Sequence, residues 1–237
     1  MKKHSKKPLS KNLIAQSLGK EPGEFKIMDL ARFAAENSIQ MLNLNYVAAD
    51  CRLKTLSFAI RGEAHLKRLL EFGERVDGSS LFPYIDSGNG DLYVVPRLKT
   101  AFVNPFSEIP TLNVLCSYFD GKGRELEIAP EFIVKKAHDA FRKKTGLELQ
   151  ALGELEYYVV FPKPEQELFP GASQKNYHES APFVKFQGLN EEILHTITLM
   201  GIKAKYGHAE VGNIEIDGKR LEQFEIELDL EPIEDMA

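Results

Sequence analysis

An α+β architecture follows from three features of this 237-residue chain. Residues 25 to 120 mix short strand patterns with helix patterns and never complete a βαβ repeat. An amphipathic helix opened by Pro130 comes next. Beyond it, two acidic runs have the period of two of half-buried strands: Gly153 to Phe161, and Glu222 to Glu231.

The elements can be justified in order. Leu9 to Leu18 predicts a short helix with Leu13, Ile14 and Leu18 on one side. Asp29 to Asn37 predicts a second, with Leu30, Phe33 and Ala34 on one face. Leu42, Leu44 and Tyr46 mark a strand, and Leu56, Phe58 and Ile60 mark another. Ala49-Asp50-Cys51 turns between them, making a hairpin. Gly62 to Phe72 is a helix with Leu66, Leu69 and Leu70 inward, ended by Gly73. Val76 to Ser80 is a loop by composition. Leu92 to Val95 is a strand stopped by Pro96, and Thr111 to Phe119 one stopped by Asp120-Gly121. The Pro130 helix carries Phe132, Ile133, Ala137, Ala140 and Phe141 as its apolar stripe and closes at Gly146. Pro162 to Gly188 lacks periodicity and reads as a long loop. Asn190 reads as the cap of a helix running to Gly201, with Glu191 and Glu192 in its first turn. A strand with His208 and Glu210 follows, then a hairpin turn at Ile214 to Gly218. Pro232 to Ala237 has the composition of a helix's first turn without its body, so the second domain is expected to be incomplete.

Net charge is −5. The first twenty residues hold six lysines (Lys2, Lys3, Lys6, Lys7, Lys11 and Lys20) and no acid, so taking that +6 from −5 leaves −11 on the rest. A body of that sign is not a nucleic-acid binder. Residues 1–24 are expected to form a basic, mobile and dispensable tail. No apolar run is long enough for a membrane span or a signal-peptide core. The two cysteines, Cys51 and Cys116, lack metal-site spacing. A cytoplasmic setting is expected.

Chemistry enters with the carboxylates. Glu154 and Glu156 point to one face of their strand, about 7 Å apart, where they repel unless water or a cation separates them. In the second acidic run Phe224, Ile226, Leu228 and Leu230 fall on one face and Glu225, Glu227, Asp229 and Glu231 on the other. Glu210 adds a third acidic segment. Three such segments can converge on hard divalent cations, which take oxygen ligands. By itself, a Glu-x-Glu on a strand is ordinarily the wet face of a half-buried sheet. Asp77 by itself is a turn residue. Tyr157, Tyr158 and Phe161 read as core, and His208 as structural.

Several pieces taken together resemble the glutamine synthetase family. They are Asp77-Gly78-Ser79-Ser80, Thr100 to Phe106, Pro110-Thr111-Leu112, Pro130 with Lys135-Lys136-Ala137, Gly153 to Tyr158, and Glu210 with Gln223-Phe224-Glu225. Their order and rough spacing are those of the family's N-terminal half, from about Asp29 to Ala237. The resemblance implies a β-grasp domain at residues 25–121, then the first part of the catalytic α+β domain at residues 122–237. It implies a nitrogen-metabolism ligase that amidates glutamate with ammonia and ATP through γ-glutamyl phosphate, using Mg²⁺ or Mn²⁺. Glu156, Glu210 and Glu225 match ligands of one metal, and Glu154 a ligand of the other. Asp77 matches the aspartate that binds ammonium and takes its proton in a neighbouring subunit's site. An extra hairpin at Asn213 to Lys219 leaves Glu222 and Glu227 as competitors for the place of Glu225. The family's phosphate-binding arginines, glycine-rich loop and remaining metal ligands fall beyond residue 237. The chain alone is therefore expected to be inactive, and to form a homo-oligomer or assemble with a chain carrying the C-terminal half. Two alternatives stand beside this reading: a non-catalytic or split subunit, and a γ-glutamyl-amine ligase of the same family.

Overall fold

The computed structural model describes residues 10–86, 88 and 90–236. Its contacts divide the chain into two units, the second beginning at Gln150. The Pro130 helix falls in the first unit, where Phe132 packs against the core.

The first unit opens with α1 (Leu13–Leu18) and α2 (Ile27–Glu36), followed by the hairpin β1 (Met41–Val47) and β2 (Leu53–Ala59). Next come α3 (Glu63–Phe72), β3 (Glu74–Asp77), β4 (Asp91–Pro96), β5 (Phe102–Val103) and β6 (Thr111–Asp120). The sheet order is β2-β1-β6-β4-β3, with β5 on β6. Among the described residues only β1 and β6 pair in parallel, Met41 with Thr111 and Leu44 with Val114. Alternation on β1 buries Leu42 and Leu44, which meet Leu112 and Val114 of β6 and the inner faces of α2 and α3.

The basic arm is corrected in part. Its first nine residues lie outside the described region. Residues 10–24 are ordered, because Ile14 and Ala15 are fully buried in the first unit's core. Asn12 caps α1, its side-chain oxygen accepting from Ile14 N at 2.8 Å and Ala15 N at 3.3 Å. The same amide donates to the Ala101 carbonyl at 2.8 Å. Lys20 pairs with Asp29 at 2.7 Å. Asn12→Ala is expected to cost about 1–2 kcal/mol, since it removes a cap and strands a buried carbonyl. A lowered urea midpoint with an unchanged slope is the check.

Helix α4 (Pro130–Thr145) begins on its proline, and Arg142, Lys143 and Lys144 in its last turn suit the helix dipole. Glu131 accepts from Tyr118 N at 3.1 Å. Of its apolar stripe, Phe132 packs against the first unit's core while Ile133 and Phe141 are exposed, and His138 is the one buried residue of the helix.

The second unit holds β7 (Gln150–Ala151), β8 (Glu154–Pro162), α5 (Gln187–Met200), β9 (Ala204–Ile216), β10 (Lys219–Leu228), β11 (Glu231–Pro232) and α6 (Ile233–Met236). Strands β8, β10 and β9 form an antiparallel sheet with β10 central, and β11 pairs with β7. The β9–β10 hairpin turns through Asp217 and Gly218, both at positive φ (49° and 71°), as a tight two-residue turn requires. One sheet face is apolar: Phe224 and Ile226 are fully buried, and Tyr157 stacks on Phe224 at 5.8 Å. The long loop runs along β9, with Gln174, Asn176 and His178 donating backbone N–H to Asn213, Val211 and Ala209. Helix α5 starts at Gln187, three residues before the predicted cap. Asn190 lies inside it and is buried, its side-chain oxygen accepting from the Tyr157 hydroxyl at 2.7 Å.

Candidate metal centre

Strand parity assembles the site. The pairing sets Glu225 of β10 opposite Glu156 of β8 and His208 of β9, and Glu227 opposite Glu154 and Tyr206. Phe224 and Ile226 point into the core, so Glu225 and Glu227 must point the other way. A register shift between the pairs of Glu222 and Phe224 marks a bulge on β9, next to Glu210. Gly212 lies at this bulge, and a Cβ there would stand 2.5 Å from the Gln223 side-chain oxygen. That oxygen accepts from Gly212 N at 3.1 Å.

Two groups result. His208, Glu210 and Glu225 bring one ligand atom each within 4.8 Å of one another, and so do Glu154, Glu225 and Glu227. Glu225 is shared. Its carboxyl is pushed above the ordinary range, chiefly by burial; the His208 ring opposes this, while Glu154, Glu210 and Glu156 add to it. Like charges held together in this way favour a cation between them, and carboxylate oxygens are the donors that Mg²⁺ and Mn²⁺ take. A hard divalent cation therefore fits the donor set.

The structure also separates the candidates. Glu222 is fully buried on the apolar parity, where it accepts from Lys185 N at 2.9 Å and burial raises its carboxyl. It cannot join the acidic face. Glu227 reaches that face but is occupied by Lys205 and the Tyr206 hydroxyl, which hold its carboxyl low. Glu156 lies on the face but in neither group, and accepts from Gln223 Nε2 at 2.6 Å. Tyr158 is exposed rather than core. The His-x-Glu spacing of His208 and Glu210 was visible in the sequence as a shared face. The aromatic surroundings of His208 were not, because they come from the loop.

Asp77 ends β3 in the first unit and is exposed. Its carboxylate accepts from Ser80 Oγ at 2.6 Å, Ser79 Oγ at 2.7 Å and Ser79 N at 3.0 Å, and these bonds hold it below the ordinary carboxylate range. Ser79 and Ser80 thus fix this loop around the aspartate.

The chain thus comprises two units, one a small mixed sheet with helices and the other an antiparallel sheet with carboxylates on one face. Residues 38–121 match the family model described as the glutamine synthetase β-grasp domain. Among curated relatives, the glutamine synthetase of Methanococcus voltae is 24% identical over 192 residues, covering 77% of this chain and 43% of its own length. The 3-hydroxylaminophenol mutase of Cupriavidus pinatubonensis is 25% identical over 217 residues, covering 78% of this chain and 45% of the relative. Among solved structures, Plasmodium falciparum glutamine synthetase superposes with a TM-score of 0.69 at 17% identity, covering 88% of this chain and 45% of that one. The apo structure of GmaS gives 0.67 at 16% identity, covering 86% and 46%. Over most of its length the chain is thus similar to the N-terminal half of glutamine synthetases, with the β-grasp match at residues 38–121. It spans less than half the length of these relatives.

Proposed function

We propose that this chain supplies the N-terminal half of a ligase that amidates glutamate with ammonia. The observation that carries the reading is the convergence of carboxylates from three adjacent strands on one sheet face. In this reaction the side-chain carboxylate of glutamate attacks the terminal phosphorus of ATP and ADP leaves. Ammonia then displaces phosphate from the γ-glutamyl phosphate. A bound Mg²⁺ or Mn²⁺ supplies neutralisation of the phosphate oxygens. Glu210 and Glu225 would hold it, with Glu156 and Glu154 on the same face. Asp77 attracts ammonium and accepts its proton on a carboxylate oxygen. The bonds from Ser79 and Ser80 keep that carboxylate ionised and aimed. The reading carries with it a cytoplasmic setting and an assembly in which the missing half of the site comes from further polypeptide. Among the described residues no helix is long and apolar enough to cross a membrane.

Calorimetric titration of the chain with Mn²⁺ tests the metal step. Glu225→Gln is expected to weaken binding by tenfold or more, roughly the effect of one lost ligand contact, because Glu225 serves both groups. Glu156→Gln should weaken it less. Equal affinity in all three proteins would sink the reading.

A further inference from the structure

We propose that His208 is itself a ligand of the cation held by Glu210 and Glu225. The site is then a mixed imidazole–carboxylate centre that raises affinity for Co²⁺ and Zn²⁺ over Mg²⁺. This rests on the metal reading proposed above and adds a donor that the acidic motifs do not contain.

Four observations carry it. His208 stands directly opposite Glu225 across the β9–β10 ladder, and its ligand atom falls within the same 4.8 Å group as those of Glu225 and Glu210. The carboxylate that could have completed that group, Glu156, is engaged by Gln223 instead. The ring is also clamped. His178 lies against it at 4.2 Å, Tyr177 meets it edge-on at 5.5 Å, and Tyr206 lies at 5.8 Å. The loop bearing His178 is itself tied to β9, by His178 N to the Ala209 carbonyl at 2.9 Å. Finally, His208 Nδ1 is 3.0 Å from the Ala209 carbonyl oxygen. Nδ1 also lies 3.9 Å from Glu210 Oε2; a proton on Nδ1, donated to the backbone carbonyl, leaves the lone pair on Nε2, an arrangement that orients imidazoles on metals.

The chemical consequence follows from donor softness. Carboxylates alone suit Mg²⁺ and Mn²⁺, whereas an added imidazole shifts preference toward Co²⁺ and Zn²⁺. The full chain is titrated with Mg²⁺ and with Co²⁺, as wild type, His208→Gln and Glu225→Gln. Wild type should bind Co²⁺ at least about tenfold more tightly than Mg²⁺, and His208→Gln should lose most of that ratio. Loss of all binding in Glu225→Gln with an unchanged Co²⁺/Mg²⁺ ratio in His208→Gln overturns this inference and leaves the metal reading standing. Unchanged binding in both variants overturns the two together. A second measurement does not depend on the variants folding. The His208 ring nitrogen resonances of wild type should shift paramagnetically under saturating Co²⁺, and an unshifted ring would refute the assignment.

Discussion

The purified 237-residue chain is expected to make no detectable glutamine from glutamate, ammonia and ATP. The reason lies in the cations around its acidic face. Phosphoryl transfer needs positive, preorganised donors around the moving phosphate as well as carboxylates to hold metal. The second unit has a single arginine, Arg220. It sits on the apolar parity of β10, only 5% exposed, paired with Glu167 and with Glu215 at 2.6 Å. Lys205, near the acidic face, is spent on Glu227. Losing one preorganised donor costs about 10²–10³ in rate, and the second unit places no arginine on the acidic face. γ-Glutamyl transfer and ATP-dependent glutamine formation should both stay at background, and should rise when a polypeptide carrying the family's C-terminal half is added. Robust turnover by the chain alone, abolished by Glu225→Gln, would place the active site elsewhere.

The second large effect is structural. Phe224→Ala should destabilise the second unit by about 3–5 kcal/mol. Phe224 is fully buried, stacked on Tyr157 and packed with Val184 and Ala209 in a small cluster. With so few apolar partners the hole cannot refill, and the register that aims Glu225 depends on the same strand. Val160→Ala, on a side chain 54% exposed, serves as the control and should stay within about 0.5 kcal/mol. Amide exchange across residues 204–228 reads the difference. A loss below about 1 kcal/mol for Phe224→Ala would show that this residue does not anchor the sheet.

What could be read beforehand follows the range of each signal. Alternation is local, so the two faces of β10 and the same-face placement of Glu154 and Glu156 were plain in the sequence. The same parity also decides against Glu222, two residues from Phe224. Asn190 carried the mark of a cap, but its bond to the Tyr157 hydroxyl joins residues 33 apart and leaves no trace in local pattern. The arm misled because its lysines dominate the composition, and the short helical pattern at Leu13, Ile14 and Leu18 does not say that the core buries Ile14 and Ala15. On α4 the apolar stripe was real, but periodicity records only that a face is apolar, not what covers it. His208 looked isolated because its neighbours come from a stretch with no periodicity at all.

The β9–β10 hairpin has one more consequence, for the order of events in folding. His208, Glu210 and Glu225 sit on a single hairpin closed by Asp217-Gly218, so their meeting needs only a short loop closure. Hairpins form in about 1–10 μs. The first unit must instead bring β1 beside β6 across some seventy residues of chain, from Met41 to Thr111, and long-range pairings of that kind are slow. The charged cluster is therefore encoded within one of the most local pieces of the molecule. Glu154 and Glu156 join it only when β8 docks from more than sixty residues upstream.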